Sequence, residues 1–343
     1  MEKITTIGQD LAKSVFQVHG ITEDGRVVVR RAMRRSQMLD FFSGLEPCLI
    51  GMEACASAHH WANAIGEFGH TVRIMPPAYV KAYLKRNKTD AADAEAICEA
   101  VTRPTMRFVP IKSPEEQAEG MVLKTRELFV RQRSQTANAM RAHMAELGII
   151  AATGMASIAK LIAILRDGDD ARLPSAARAA LLEMAEQIER LTVRIEALDT
   201  KIVAAVKNDE TARRLTSIPG VGPIIAATVL ATIHDPAAFR TGRDLAAWIG
   251  ITPRANSSGG KERLGRISKQ GNKQLRTLLI VGATSILKQA RRGVKLPAWV
   301  VSLMARRPYK VAAVALANKM ARTIWALLAK GGTYQAPLIM TRA

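Results

Sequence analysis

Residues Ile4–Met33, ITTIGQDLAKSVFQVHGITEDGRVVVRRAM, decide the fold. Ile4 to Val18 reads as a strand with a break near Gly8-Gln9-Asp10. Thr22-Glu23-Asp24-Gly25 is a turn, and Asp24-Gly25 is a strong hairpin signal. Arg26 to Met33 returns as a strand. Further on, Ser36–Leu45 reads as a helix, Cys48–Met52 as a buried strand and Ser57–Phe68 as a helix. Thr71–Met75 is another buried strand, closed by Pro76-Pro77. Asp90–Val101 is a helix with Thr89 or Asp90 as its cap. A hairpin followed by alternating helix and strand describes a mixed α/β sheet.

Acidic residues fall at telling places in this plan. Ile7-Gly8-Gln9-Asp10 puts Asp10 on the first strand, and Met52-Glu53-Ala54 puts Glu53 at the end of a buried one. Lys88-Thr89-Asp90-Ala91-Ala92-Asp93 sets Asp90 and Asp93 three apart, on one helix face. Acids at the ends of buried strands repel each other and lose hydration, which is tolerable only around a cation. Oxygen-only ligands select Mg²⁺ or Mn²⁺. Two such ions about 4 Å apart can activate an attacking oxygen and stabilise a leaving one in phosphodiester displacement. Taken singly, Asp10 is a turn acid, Asp90 a cap and Asp93 a solvated residue; taken together they point to one metal site. Glu95 and Glu99 read as surface residues.

From Ser113 to about Lys207 strand signals vanish. Ser113-Pro114-Glu115-Glu116 starts one long helix and Pro174 opens another. In the second, Met184, Ile188, Leu191, Ile195, Leu198, Ile202 and Ala205 follow alternating steps of four and three. Isoleucine at one core position and mostly leucine at the other favours a parallel two-stranded coiled coil between protomers; the alternative is a helical hairpin packed on Ser113–Ile150.

The third region is helical, with loops at Asp235-Pro236 and Thr252–Lys261. Leu215-Thr216-Ser217-Ile218-Pro219-Gly220-Val221-Gly222-Pro223, followed by an Ala-rich helix Ile224–Ile233, is a helix-hairpin-helix pattern. Gly220 and Gly222 would let the backbone approach a phosphate, with the following helix N-terminus aimed at it; a plain tight turn is the alternative. Next, Thr252-Pro253-Arg254-Ala255-Asn256-Ser257-Ser258-Gly259-Gly260-Lys261 carries hydroxyls beside Arg254, Lys261 and Arg263. It reads first as a phosphate-gripping loop, and Ser257 or Ser258 could attack phosphorus if the alkoxide is stabilised. Arg266, Lys269, Lys273, Arg276, Lys288, Arg291, Arg292 and Lys295 extend the basic set, against Glu262 alone.

Together these residues resemble the DEDD transposases of bacterial insertion sequences, the insertion-sequence one-ten family, also called bridge-RNA-guided recombinases. The likeness covers nearly the whole chain. It implies an α/β ribonuclease-H-like (RuvC-like) catalytic domain at 1–112 and a helical coiled-coil dimerisation segment at 113–207. A mostly α-helical transposase domain, with the helix-hairpin-helix and a serine loop, is implied at 208–343. The family's acids map onto Asp10, Glu53, Asp90 and Asp93 and its nucleophilic serine onto Ser258. Gln9 and Cys55 stand where small or apolar residues and serine or threonine are more usual. The resemblance further implies a tetramer built from dimers, a serine–DNA linkage formed in trans, and an element-encoded RNA that chooses donor and target DNA. Long helices between the acids and the serine loop fit the trans arrangement.

Composition agrees. A net charge of +20 over 343 residues implies a polyanionic partner, nucleic acid ahead of a membrane surface. No apolar run is read as a bilayer span and the N-terminus lacks a signal-peptide layout, so a bacterial cytoplasmic, nucleoid-associated protein is expected. Cys48, Cys55 and Cys98 have no zinc spacing and suit reduced thiols. The rival reading is a metal-dependent Holliday-junction-type nuclease without a serine step; a decayed, non-enzymatic DNA binder is the third.

Overall fold

The computed structural model describes residues 2–84, 89–261, 263–290 and 296–335. Glu262, Arg291, Arg292 and Lys295 therefore lie outside the described residues, as does Lys88. Packing divides the chain into Met1–Ala118 and Glu119–Ala343.

The first unit is a mixed sheet flanked by helices. Its elements are β1 (Thr6–Asp10), β2 (Val15–Ile21), β3 (Val27–Arg34), α1 (Met38–Ser43), β4 (Leu49–Glu53), α2 (Ala58–Gly66), β5 (Thr71–Met75), α3 (Pro77–Val80) and α4 (Asp90–Val101). Strand order is β3-β2-β1-β4-β5. β1 pairs antiparallel with β2 and β2 with β3, while β1, β4 and β5 run parallel. This topology is consistent with the ribonuclease-H-like expectation. One boundary differs: Gly8-Gln9-Asp10 is continuous strand, and the chain breaks after Asp10 instead. On one face Ile7, Phe16, Val18, Ile50 and Met52 pack with Trp61 and Ile65 of α2. On the other, Ile97, Ala100 and Val101 of α4 pack with Met75 and Val80.

The second unit is mostly helical: α5 (Pro114–Glu146), α6 (Ala156–Arg166), α7 (Ser175–Asn208), α8 (Glu210–Thr216), α9 (Pro223–Leu230), α10 (Gly242–Ile249), the strands β6 (Pro253–Ala255) and β7 (Leu264–Ile267), then α11 (Lys273–Ala290), α12 (Ala298–Arg306) and α13 (Tyr309–Lys330). Most of α5 belongs here, although its first turn falls in the first unit. Ser113 caps that turn as a box: its Oγ accepts from the Glu116 amide at 3.2 Å, and Glu116 Oε2 accepts from the Ser113 amide at 2.9 Å.

Two expectations need correction. The heptad seam is covered by the chain's own α5. Ile188, Leu191, Ile195 and Ile202 are buried, and Ile188 shares a core with Ala137 and Met140 of α5. Arg126 pairs with Asp199, and Arg133 Nη1 donates to Thr192 Oγ1 at 3.3 Å. Position sums stay constant, so the two helices run antiparallel. A period of 3.5 requires a partner helix without saying whose, and here the partner is local. The second concerns α13, the one helix among the described residues long and apolar enough to cross a membrane. Ala313, Leu316, Ala317, Met320, Ile324 and Leu327 bury its apolar side in the unit's core.

Candidate functional site

The acids are positioned by a close contact between helix and sheet. Gln9 lies opposite Met52 in the parallel ladder, so Asp10 and Glu53, the next residues, end adjoining strands at one level. By the strand period of two, Gly8 and Gly51 share their face, and α4 covers it. A Cβ on Gly8 would stand 2.1 Å from the Ala94 carbonyl oxygen, and one on Gly51 would stand 2.7 Å from Val101 Cβ. Only glycine at both places lets α4 lie this close. The sequence signal was a glycine in each strand, which reads equally well as a break.

With α4 seated, Asp10, Asp90 and Asp93 each offer a carboxylate oxygen, and these lie within 4.8 Å of one another. Glu53 stands outside that trio, at the end of the strand beside Asp10. Asp10, Glu53 and Asp93 are half-buried and Asp90 is exposed. Thr89 Oγ1 accepts from the Ala92 amide at 3.2 Å, capping α4. Its first-turn acids therefore sit in the positive end of the helix dipole. A half-charge at one helix end offsets little of the repulsion among three carboxylates. The oxygen-only donor set fits a hard divalent cation.

The serine loop joins a hairpin where a plain loop was expected. β6 and β7 pair antiparallel, and the Asn256 amide donates to the Arg263 carbonyl at 2.8 Å. At the tip the Lys261 amide donates to the Ser258 carbonyl at 3.1 Å, with Gly259 at φ 56° and Gly260 at φ 75°. Two consecutive positive φ values define a type I′ turn, which explains the Gly-Gly pair. The two serines differ: Ser257 Oγ accepts from the Arg263 amide at 3.2 Å, whereas Ser258 is the exposed first residue of the turn. Arg254, Lys261, Arg263, Arg266, Lys269 and Lys273 are all exposed around it.

Arg276 departs from this group. It is buried at 9% exposure, and its Nη1 donates to the carbonyls of Ile249 at 2.7 Å and Gln270 at 2.8 Å. It terminates α10 and anchors the base of the hairpin. Gly250 and Gly271 meet the same segments so closely that a Cβ on Gly271 would stand 1.7 Å from the Trp248 carbonyl oxygen.

The stretch expected to form a helix-hairpin-helix comprises α8, the turn Ser217–Gly222 and α9. Gly220 has φ 82°, and a Cβ there would stand 2.6 Å from Ile286 Cδ1 of α11. Its glycine requirement is therefore met inside the protein. Gly222 is exposed and precedes α9, and a Cβ there would meet nothing within 4 Å.

One unit carries a paired acidic edge on a mixed sheet and the other an exposed basic hairpin, features that suit an enzyme acting on DNA strands. Residues 7–149 match a family model described as a transposase, the DEDD type of IS110. Residues 212–296 match one described as Transposase IS116/IS110/IS902 family. The chain belongs to this family of insertion-sequence transposases. It is 46% identical over 334 residues to a protein of Pseudomonas aeruginosa named "Probable family 20 transposase", covering 97% of this chain and 99% of that one. It is 37% identical to the transposase for insertion sequence element IS1111A of Coxiella burnetii, over 98% of this chain and 92% of the relative. It is 35% identical to the transposase for insertion sequence element IS1328 of Yersinia enterocolitica, over 97% and 99%.

Proposed function

We propose that this DNA transposase cuts and rejoins DNA with a composite site: Asp10, Glu53, Asp90 and Asp93 hold Mg²⁺ or Mn²⁺, and Ser258 is the nucleophile. The observation that carries the reading is the trio of carboxylate oxygens within 4.8 Å at the end of β1 and the start of α4. Glu53 completes the set from the neighbouring strand. A divalent cation bound there supplies positive charge to the phosphate and to the attacking and leaving oxygens.

Ser258 Oγ loses its proton and bonds to the scissile phosphorus. The bond from phosphorus to the deoxyribose oxygen breaks, and that oxygen takes up a proton. A hydroxyl of a second strand then displaces Ser258 by the reverse chemistry, so phosphodiesters are conserved and the serine is regenerated. Arg254, Lys261 and Arg263 neutralise the phosphate during both steps. Lys269, Lys273 and Arg266 extend the contact along the backbone, with Gly222 and the N-terminus of α9 as a further sequence-independent contact. Gly220 supports that turn from inside.

The family resemblance adds an assembly in which serine and acids come from different protomers, as a tetramer, with an element-encoded RNA choosing the DNA by base pairing. Exposed basic side chains that grip backbone rather than bases suit that division of labour. Because α5 covers the heptad seam, pairing of protomers through the helical segment uses its remaining faces.

The test is a strand-transfer assay with purified protein, donor and target DNA, and any element RNA. Products should require Mg²⁺ or Mn²⁺, and a denaturing gel should trap a protein–DNA adduct. Asp10→Asn, Glu53→Gln, Asp90→Asn and Asp93→Asn should each abolish product while remaining folded. Full activity in two or more of them overturns the metal assignment. Product without any adduct favours the junction-type nuclease.

A further inference from the structure

We infer that a pocket between Tyr79, Tyr83 and Arg107 receives an unstacked nucleobase of a single strand passing the acidic site. The pocket encloses about 270 Å³ and is lined by Tyr79, Tyr83, Thr105, Met106 and Arg107 among others. Aromatics are only 4% of this chain, with four tyrosines in all, yet two of the four share this cavity. They lie four residues apart on one helical run, α3 continued by the 3-10 turn Lys81–Tyr83, and so fall on one side of it. Tyr79 is 45% exposed, a high value for a ring with a sheet core beside it.

The surroundings choose the occupant. The Arg103 guanidinium sits 5.8 Å from the Tyr83 ring centroid and is neutralised by Glu99 at 2.6 Å. Tyr83 is thus stacked and held on one face, while Tyr79 keeps an open ring. Arg107 is exposed and lines the same pocket. Open ring, held ring and cation together suit a planar base with its phosphate, because bases stack on aromatic side chains regardless of sequence and cations track the backbone. An apolar peptide would gain nothing from Arg107.

Position supports the same reading. Met75 pairs with Glu53 across the β4–β5 ladder, and Pro76-Pro77 lead straight into the pocket. The pocket therefore lies beyond the C-terminal end of β5, on the same edge of the sheet as the ends of β1 and β4, the edge at which α/β sheets bind ligands. Asp93 lies in the first turn of α4, whereas Arg103, which meets Tyr83, lies just past its end. At about 1.5 Å per residue the pocket stands roughly 15 Å from the acids, so the base would belong to a nucleotide a few positions from the scissile phosphate. Only that placement along the strand rests on the acids being the reaction centre.

The test uses the full-length protein, without divalent cation, and a short single-stranded oligonucleotide carrying one 2-aminopurine. It is run as DNA and again as RNA of the same sequence. Stacking should quench the fluorescence on binding; a DNA response identifies the substrate strand and an RNA response a guide strand. Tyr79→Ala should abolish the quench and weaken binding about tenfold, within the range of one lost stack, while Tyr79→Phe keeps both. If Tyr79→Ala lowers the unfolding temperature, Tyr79→Leu fills the same volume without an aromatic face and reads the stack alone. Asp10→Asn protein should quench like the parent. If it also still transfers strands, the metal assignment fails and the pocket stands. No quench by the parent in either arm, or unchanged quench in both Tyr79→Ala and Tyr83→Ala, overturns the inference.

Discussion

Gly8 and Cys98 are in backbone contact: a Cβ on Gly8 would stand 2.3 Å from the Cys98 amide nitrogen. That contact presses α4 onto β1 and so sets how far Asp90 and Asp93 reach over Asp10. Gly8→Ala should force the helix outward and destabilise the first unit by about 2–3 kcal/mol, the scale of overpacking a filled core. Strand transfer should fall by more than the folded fraction does, because the carboxylates separate. Thermal unfolding combined with a Mg²⁺ titration of activity separates the two effects. A Gly8→Ala protein with the parent's stability and metal requirement would show that the contact has slack.

Arg276 and Lys273 lie three residues apart on α11 and should behave in opposite ways. Arg276→Ala removes charged hydrogen bonds from the carbonyls of Ile249 and Gln270, and should cost about 2–3 kcal/mol of stability. Lys273→Ala leaves stability alone and weakens DNA binding. It should also flatten the dependence of log affinity on log salt by about one contact. Equal salt slopes in the parent and in Lys273→Ala would remove Lys273 from the interface.

Much of this was legible beforehand, for identifiable reasons. Thr71–Met75 and Asp90–Val101 carry their own boundaries: Pro76-Pro77 ends the strand, and the Thr89 side chain caps the helix. Asp10 and Glu53 end their strands, and Asp90 and Asp93 fall in the first turn of α4, the places at which the sequence set them. Gly8 was misread as a break, since a glycine that yields to a helix from elsewhere in the chain looks like one that ends a strand. The β6–β7 hairpin gave no strand signal, because every residue of β6 is exposed and no alternation marks a buried side. Arg276 was indistinguishable from its neighbours; only the fold shows that two carbonyls claim it.

The seam residue Ile195 tests which helix covers that face. Ile195→Glu buries a charge against α5 and should destabilise the second unit by about 3 kcal/mol or more. The loss should be independent of protein concentration, since the partner is in the same chain. If unfolding of the parent shifts with concentration and that shift disappears in Ile195→Glu, the seam joins protomers instead.

The thiols give a pH-dependent check on the sheet. Burial pushes Cys48 up to about 11 and Cys98 up to about 12, the latter chiefly by burial, whereas Cys55 is exposed. A thiol reagent at pH 8 should therefore modify Cys55 alone until the chain unfolds. With folded values raised, the folded chain holds these protons more tightly than the unfolded one. Their contribution to stability is intact below the ordinary thiol value of about 9 and is lost as pH rises toward 11 and 12. Mass spectrometry of the labelled protein reads the first part. Rapid labelling of Cys98 at pH 8 would mean that α4 lifts from β1 in the native state.

The two serines of the hairpin tip can be told apart by experiment because their hydroxyls have different duties. Ser257 Oγ accepts the Arg263 amide across the loop, so Ser257→Ala should loosen the tip and slow the reaction while still yielding a covalent adduct. Ser258 opens the type I′ turn with its side chain toward solvent, at a place where Lys261 follows three residues later. Ser258→Ala should bind DNA as the parent does and form no adduct, because no other hydroxyl stands in that register. Ser258→Cys should restore a weak adduct of altered chemical stability, since a thiolate attacks phosphorus poorly. If the serine of one protomer works with the acids of another, Ser258→Ala mixed with Asp10→Asn should recover part of the product that neither forms alone. Confirmed mixed oligomers without product would place serine and acids in the same chain. An adduct in Ser258→Ala that disappears in Ser257→Ala would move the nucleophile by one residue.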